Sequence, residues 1–236
     1  MRPDTRHPSH QIAADLRAQI MAGVLPPGEQ LPSTAQLAER YGVAGTTVQN
    51  AVKLLKDEGF LVSRAGAGVY VREGHAFTIR TAAYFDPASR GVTYKILDVS
   101  EAEAPADVAH ALGERRAVCR TRLMLRGDVP VELSRSYYPA SWAAGTALAD
   151  RKRIRGGAPV VLAELGYPQR EWTDRVTARP PTREEAELLE VPDGVPVLRQ
   201  FRTIYSDGGR VAEVTVMIKP GHQTELEYRK SVADEG

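Results

Sequence analysis

Apolar residues recur with helical spacing through the first sixty positions and give way to strand-like alternation beyond them. Ile12, Leu16 and Ile20 fall at i, i+4 and i+8, predicting a helix that Ser9 can cap and Gly23 can close. A turn signal follows at Leu25-Pro26-Pro27-Gly28, then an extended Leu31-Pro32. Ser33 caps a short second helix with Leu37 and Ala38 inward and Glu39 and Arg40 outward. After the tight turn Tyr41-Gly42-Val43, a third helix over residues 46–58 puts Val48, Ala51, Val52 and Leu55 on one face and ends at Gly59. Residues 60–62 and 68–71 then read as two short strands.

Polar residues and glycine interrupt the pattern at Arg72-Glu73-Gly74-His75. Beyond them, residues 118–125 and 131–138 alternate and are joined by the hairpin signal Arg126-Gly127-Asp128. Residues 159–165 form a short helix stopped by Gly166. Thr182 and Glu185 make a capping box opening a helix through Leu189. Residues 197–205 and 211–219 form another strand pair around Ser206-Asp207-Gly208-Gly209. This order predicts an α+β fold on an antiparallel sheet. The expected domains are residues 1–72, a linker at 73–76, and residues 77–236.

Composition narrows the picture. Of 236 residues, 42% are hydrophobic and 26% charged, the balance of an ordinary globular protein. No stretch reaches the ~18 apolar residues of a membrane span, and the N-terminus lacks the apolar core of a secretory signal. One cysteine, Cys119, excludes an intramolecular disulfide framework. Five scattered histidines show no metal-ligand spacing, so neither metal nor other cofactor is expected. The expectation is a cytoplasmic protein with no membrane partner. Net charge is only +1, so charge does not announce nucleic acid by itself.

Two helices joined by a glycine turn and followed by a β-ribbon describe a winged helix-turn-helix, in which a short helix braces one that reaches base edges. A plain three-helix packing unit remains the alternative. The residues 23–33 (Gly-Val-Leu-Pro-Pro-Gly-Glu-Gln-Leu-Pro-Ser), Leu37-Ala38, Tyr41-Gly42-Val43, Thr46-Thr47-Val48 and the run 55–61 (Leu-Lys-Asp-Glu-Gly-Phe-Leu) resemble the GntR family of bacterial transcription regulators. The family often carries an acidic–basic pair after Pro-Ser, where this chain has Thr34 and Ala35. It often has Ser-Arg and a later Arg where Ala44, Gly45 and Gln49 stand here. The remaining candidates for DNA contact are Ser33, Thr46, Thr47, Gln49, Asn50 and Lys53, with Arg64 and Gly66 in the wing. Gln and Asn suit adenine in the major groove.

In the second half, the run 118–123, Gly127-Asp128-Val129-Pro130, Ser136-Tyr137-Tyr138-Pro139, the run 177–182 and Val211-Ala212-Glu213-Val214 resemble the HutC-like effector domain (the UTRA domain). The resemblance implies a chorismate-lyase-like fold that binds a small molecule without reacting it. Arg120 and Arg122 lie two apart on a strand and share a face, which suits a clamp for carboxylate or phosphate. Pairing with Glu132 or Glu213 is the structural alternative. The resemblance implies effector contacts at Arg120, Arg122, Ser134, Tyr137, Arg179 and Glu213, with Ser134 standing where relatives have glutamate and Lys219 where some have tyrosine. The expected whole is a homodimeric, ligand-responsive regulator of double-stranded operator DNA with an anionic effector, and not an enzyme. A lyase-like enzyme acting on a small carboxylate and an interaction module without DNA readout are the rival readings. Cys119 and Trp142 and Trp172 read as packing residues, and the basic run 151–155 as a solvated loop.

Overall fold

The computed structural model describes residues 7–73, 77–80 and 91–227. The chain divides into two compact units, one of Met1–Ala76 with Pro192–Gly194, the other of Phe77–Val191 with Val195–Gly236. Beyond residue 73, the expected linker at 73–76 lies outside the described residues. Among those residues, no helix is long and apolar enough to cross a membrane.

The first unit holds helices α1 (Pro8–Met21), α2 (Thr34–Tyr41) and α3 (Gly45–Asp57) and the hairpin β1 (Leu61–Arg64) and β2 (Gly68–Val71). Leu16, Leu37, Val48, Ala51 and Leu55 are buried between the helices, so the helical spacing identifies the core correctly. The first cap differs from expectation. His7 is the N-cap and its Nδ1 accepts from the Ser9 backbone N–H, because Pro8 occupies the first turn. Ser33 caps α2 through a full capping box with Gln36. Arg17 and Glu58 tie α1 to the end of α3 with a buried forked ion pair of 2.6–3.0 Å. Tyr41 donates to Asp15, and burial together with that carboxylate pushes its hydroxyl up to about 12.

The second unit is an antiparallel sheet of β4 (Val92–Glu103), β5 (Arg116–Arg126), β6 (Val129–Pro139), β7 (Glu171–Arg179), β8 (Val197–Tyr205) and β9 (Val211–Pro220). Their order across the sheet is β4-β5-β6-β9-β8-β7. Besides these, β10 (Thr224–Glu227) runs parallel to β3 (Phe77–Arg80). The hairpins β5–β6 and β8–β9 sit where alternation and turn residues predict them. The edge strands β4 and β7 and the helix α4 (Ala106–Leu112) have no counterpart in the sequence reading. One sheet face is apolar, with Leu133, Phe201, Val214 and Ile218 buried under α4 and α7 (Arg183–Leu189). The other carries Arg120, Glu132, Ser134, Ser136, Gln200, Arg202, Glu213, Thr215 and Lys219, all buried. Over one end of it lie α5 (Ala140–Ala143) and α6 (Ala158–Glu164), where Val118, Tyr138, Leu148 and Leu162 form a core cluster. Trp142 packs there, stacked on Tyr167 with ring centroids 4.2 Å apart.

Candidate functional site

In the first unit, a groove of about 650 Å³ lies between the start of α2, the outer side of α3 and the wing. Ser33, Thr34, Gln49, Lys53, Lys56 and Gly68 are among its lining residues. Its wall on the wing side is set by Gln30, which donates to the Ala67 carbonyl at 2.8 Å. A Cβ at position 68 would come within 2.7 Å of that amide, and the Gly68 φ of +114° is itself unfavourable for other residues. Thr46, Gln49, Asn50 and Lys53 are exposed on α3, and Thr47 is half-buried. Ala44 gives α3 no side-chain cap. The face therefore offers amides for base edges and ammonium groups for phosphates. Lys56, not singled out from sequence, joins Lys53 there one helical turn along, a spacing the sequence does contain.

Arg64 and Gly66 are exposed in the wing but do not line the groove. Arg64 is not a bare cation. It donates to Glu73 at 3.1 Å and lies 4.3 Å from the centroid of the Tyr70 ring.

On the polar face of the sheet, a hydrogen-bonded chain crosses three strands. Arg122 donates to Ser136 Oγ at 2.8 Å, Ser136 meets Thr215 at 2.9 Å, and Thr215 donates to Glu213 at 2.5 Å. Gln169 lies 3.5 Å from the second Glu213 oxygen. Two polar atoms beside this chain are buried without a hydrogen-bond partner, the Tyr138 hydroxyl and the Gln169 side-chain oxygen. Burial, reinforced by Glu213, drives the Tyr138 hydroxyl well above its ordinary value, which keeps it a neutral donor. Farther along the face, Lys219 pairs with Glu132 at 3.0 Å and donates to Gln200 at 2.9 Å. Arg202 grips Asp174 with both arms of its fork at 2.8 and 2.6 Å. Burial pulls the Lys219 ammonium below its ordinary value despite Glu132.

The sequence-derived effector set separates into those on this face and those elsewhere. Arg122, Ser134 and Glu213 share it, with Ser134 directly across the strand pair from Arg122. Arg120 is also there, but its guanidinium is spent on backbone carbonyls of Leu148, Asp150 and Lys152 at 2.6–2.9 Å, with Ala147 at 3.5 Å. It braces the loop after α5 and pairs with neither Glu132 nor Glu213. Tyr137 is on the opposite face, because it alternates with Ser136 and packs beside Cys119 and Val214. Arg179 is at the end of an edge strand, locked by Glu185 at 2.7 Å through both nitrogens. Cys119 points away from Arg120, and burial raises its thiol, as suits a packing residue.

Comparison with known proteins places both units. Residues 8–71 match the model described as bacterial regulatory proteins of the gntR family, and residues 88–225 match the UTRA domain. The chain is 30% identical to an HTH-type transcriptional regulator of Streptomyces coelicolor, over 95% of this chain and 93% of that one. It is 28% identical to the histidine utilization repressor of Pseudomonas aeruginosa, over 91% of this chain and 87% of the relative. A solved GntR-family transcriptional regulator superposes with a TM-score of 0.62 at 28% identity, covering 97% of this chain and 99% of that one.

Proposed function

The chain belongs to the GntR family of bacterial regulatory proteins, with a UTRA domain behind its winged helix-turn-helix, and from that premise we propose how this ligand-responsive regulator works. It binds double-stranded operator DNA in the cytoplasm as a homodimer, and a small anionic effector shifts the population between DNA-competent and incompetent arrangements. The relatives named as repressors favour repression as its default. The DNA contacts are Ser33, Gln49, Asn50, Lys53 and Lys56, with Thr46, Thr47 and the wing residues Arg64 and Gly66 at the margins. The effector lies against Arg122, Ser134, Ser136 and Glu213.

The observation that carries this reading is the buried polar chain that runs from Arg122 through Ser136 and Thr215 to Glu213 across three strands. The proposed dimer follows from the DNA half, since a domain of nearly neutral charge gains little affinity alone and two copies would double the phosphate contacts.

The test is selection of bound genomic fragments by the full-length protein, followed by gel-shift titration of Gln49→Ala and Asn50→Ala. Each substitution is expected to cost about 1–3 kcal/mol on the selected operator and much less on random DNA. Equal loss on both, or no enriched fragment, overturns the assignment.

A further inference from the structure

We infer that Gln30, in the segment before α2, is the positioning residue of the wing, holding its tip ready for the DNA backbone before DNA arrives; this rests on the DNA reading above. The two wing strands have four residues each, and a two-stranded ribbon alone is only marginally stable. Here the ribbon has a third member. The Gly28 N–H donates to the Val71 carbonyl at 2.9 Å, the Val71 N–H to the Glu29 carbonyl at 2.8 Å, and the Leu31 N–H to the Val69 carbonyl at 2.8 Å. Gln30 sits within that run, opposite Tyr70.

On this side the backbone bonds stop at Val69, and the turn over residues 64–67 lies beyond them. The Ala67 N–H closes that turn on the Arg64 carbonyl at 3.0 Å, and Gln30 secures it from the side. Its amide donates to the Ala67 carbonyl at 2.8 Å, and the Tyr70 hydroxyl donates to the same oxygen at 3.1 Å. Two donors from neighbouring strands thus converge on one acceptor in the turn. The Tyr70 ring in turn carries the Arg64 guanidinium, 4.3 Å from its centroid, so the wing's cation and the clamped carbonyl share one support.

The use of the clamp follows from what it is anchored to. Leu31 is buried in the core, Pro32 fixes the next φ, and Ser33 caps α2. Only Leu31 and Pro32 therefore separate the clamp from the cap of the helix that braces α3. Gln30 and Gly68 line the same groove as Gln49, Lys53 and Lys56 of α3. The wing tip is thereby ordered in the free protein, and a segment ordered beforehand loses no freedom on binding. Phosphate contacts set register without carrying sequence, so a residue acting through the wing changes affinity on every duplex alike.

The experiment is fluorescence-anisotropy titration of the full-length protein with two labelled duplexes, one taken from the genomic fragments that wild type enriches and one of random sequence. Gln30→Met keeps the length of the side chain and removes the donor. It is expected to weaken binding to both duplexes by the same factor, roughly three- to tenfold, as loss of one hydrogen bond would. The melting temperature should stay at the wild-type value, because the side chain is exposed. Hydrogen exchange at the Ala67 N–H should quicken, reporting a loosened turn. In an Arg64→Ala background Gln30→Met should add no further loss, because the cation it positions is gone. Loss confined to the enriched duplex would make Gln30 a base reader, and additive losses would make it an independent contact. Either result overturns the inference, as does unchanged affinity. Absence of any enriched fragment overturns the operator reading instead, while the random duplex still decides whether the clamp acts through Arg64.

Discussion

The two faces of the six-stranded sheet are made by the same strands and differ only in which residues of each alternate pair they receive. On one, Leu133, Phe201, Val214 and Ile218 meet the apolar sides of α4 and α7. On the other, one residue along each strand, charges and hydroxyls are buried as deeply as those hydrocarbons. The apolar face gains its stability directly from area removed from water. The polar face gains little, because the cost of stripping water from Lys219, Glu132, Arg202 and Asp174 roughly cancels their attraction. Each buried charge there is nonetheless partnered, which is the condition for tolerating it. The difference teaches that depth of burial alone does not distinguish scaffold from site. What distinguishes them is whether the buried groups need each other.

The largest test breaks one pair. Lys219→Met leaves Glu132 buried without its cation and should lower the unfolding free energy by about 3–5 kcal/mol, measured by denaturant titration. Adding Glu132→Leu should restore most of it; a double variant as unstable as the single one would show that the pair itself carries the fold. On the apolar face, Leu133→Ala has no such rescue and should cost roughly 2–5 kcal/mol through loss of buried area and a cavity. Tyr138→Phe should do the reverse, stabilising the ligand-free protein by about 1 kcal/mol because an unsatisfied hydroxyl is removed. A destabilised Phe variant would mean the hydroxyl has a partner.

The smallest effect lies beside the sheet. Burial pushes the Glu185 carboxyl up, but the Arg179 fork and the Thr182 backbone N–H outweigh it and hold it below the ordinary carboxylate range. With the folded value below the unfolded one, this stabilisation is complete above the unfolded value of about 4.3 and is lost as pH falls through the folded value. Melting curves between neutral and acidic pH should therefore converge for wild type and Glu185→Gln at the acid end. A constant gap would remove the ion pair from the account.

Much of this was legible in the sequence, where the determinants are local. The capping boxes at Ser33 and Thr182 need only four residues each, and both form. The hairpins β5–β6 and β8–β9 carry their own turn residues. The edge strands escape because their composition follows solvent: β7 is exposed along most of its length, and its polar run Thr173-Asp174-Arg175 shows no clean alternation. Period-two spacing puts Arg120 and Arg122 on one face, and they are there. The acceptors of Arg120 lie 27 to 32 residues away on an irregular loop, which no spacing encodes. Tyr137 is a different kind of miss, since counting from Ser134 and Ser136 already assigns it to the other face.

The strand order has a kinetic side. Strands β4, β5 and β6 follow one another along the chain and pair in that order, and so do β7, β8 and β9. Each triplet is a meander of short-range contacts that can zip locally and quickly. The strand ladder between the two halves runs only through residues 133–137 against 214–218, across some eighty residues of chain, and loop-closure entropy makes that seam the late and slow event. The Ser136–Thr215 hydrogen bond spans the seam, with Arg122 on one half and Glu213 on the other. A molecule held between Arg122 and Glu213 is therefore a staple across the last join to form and the first to open.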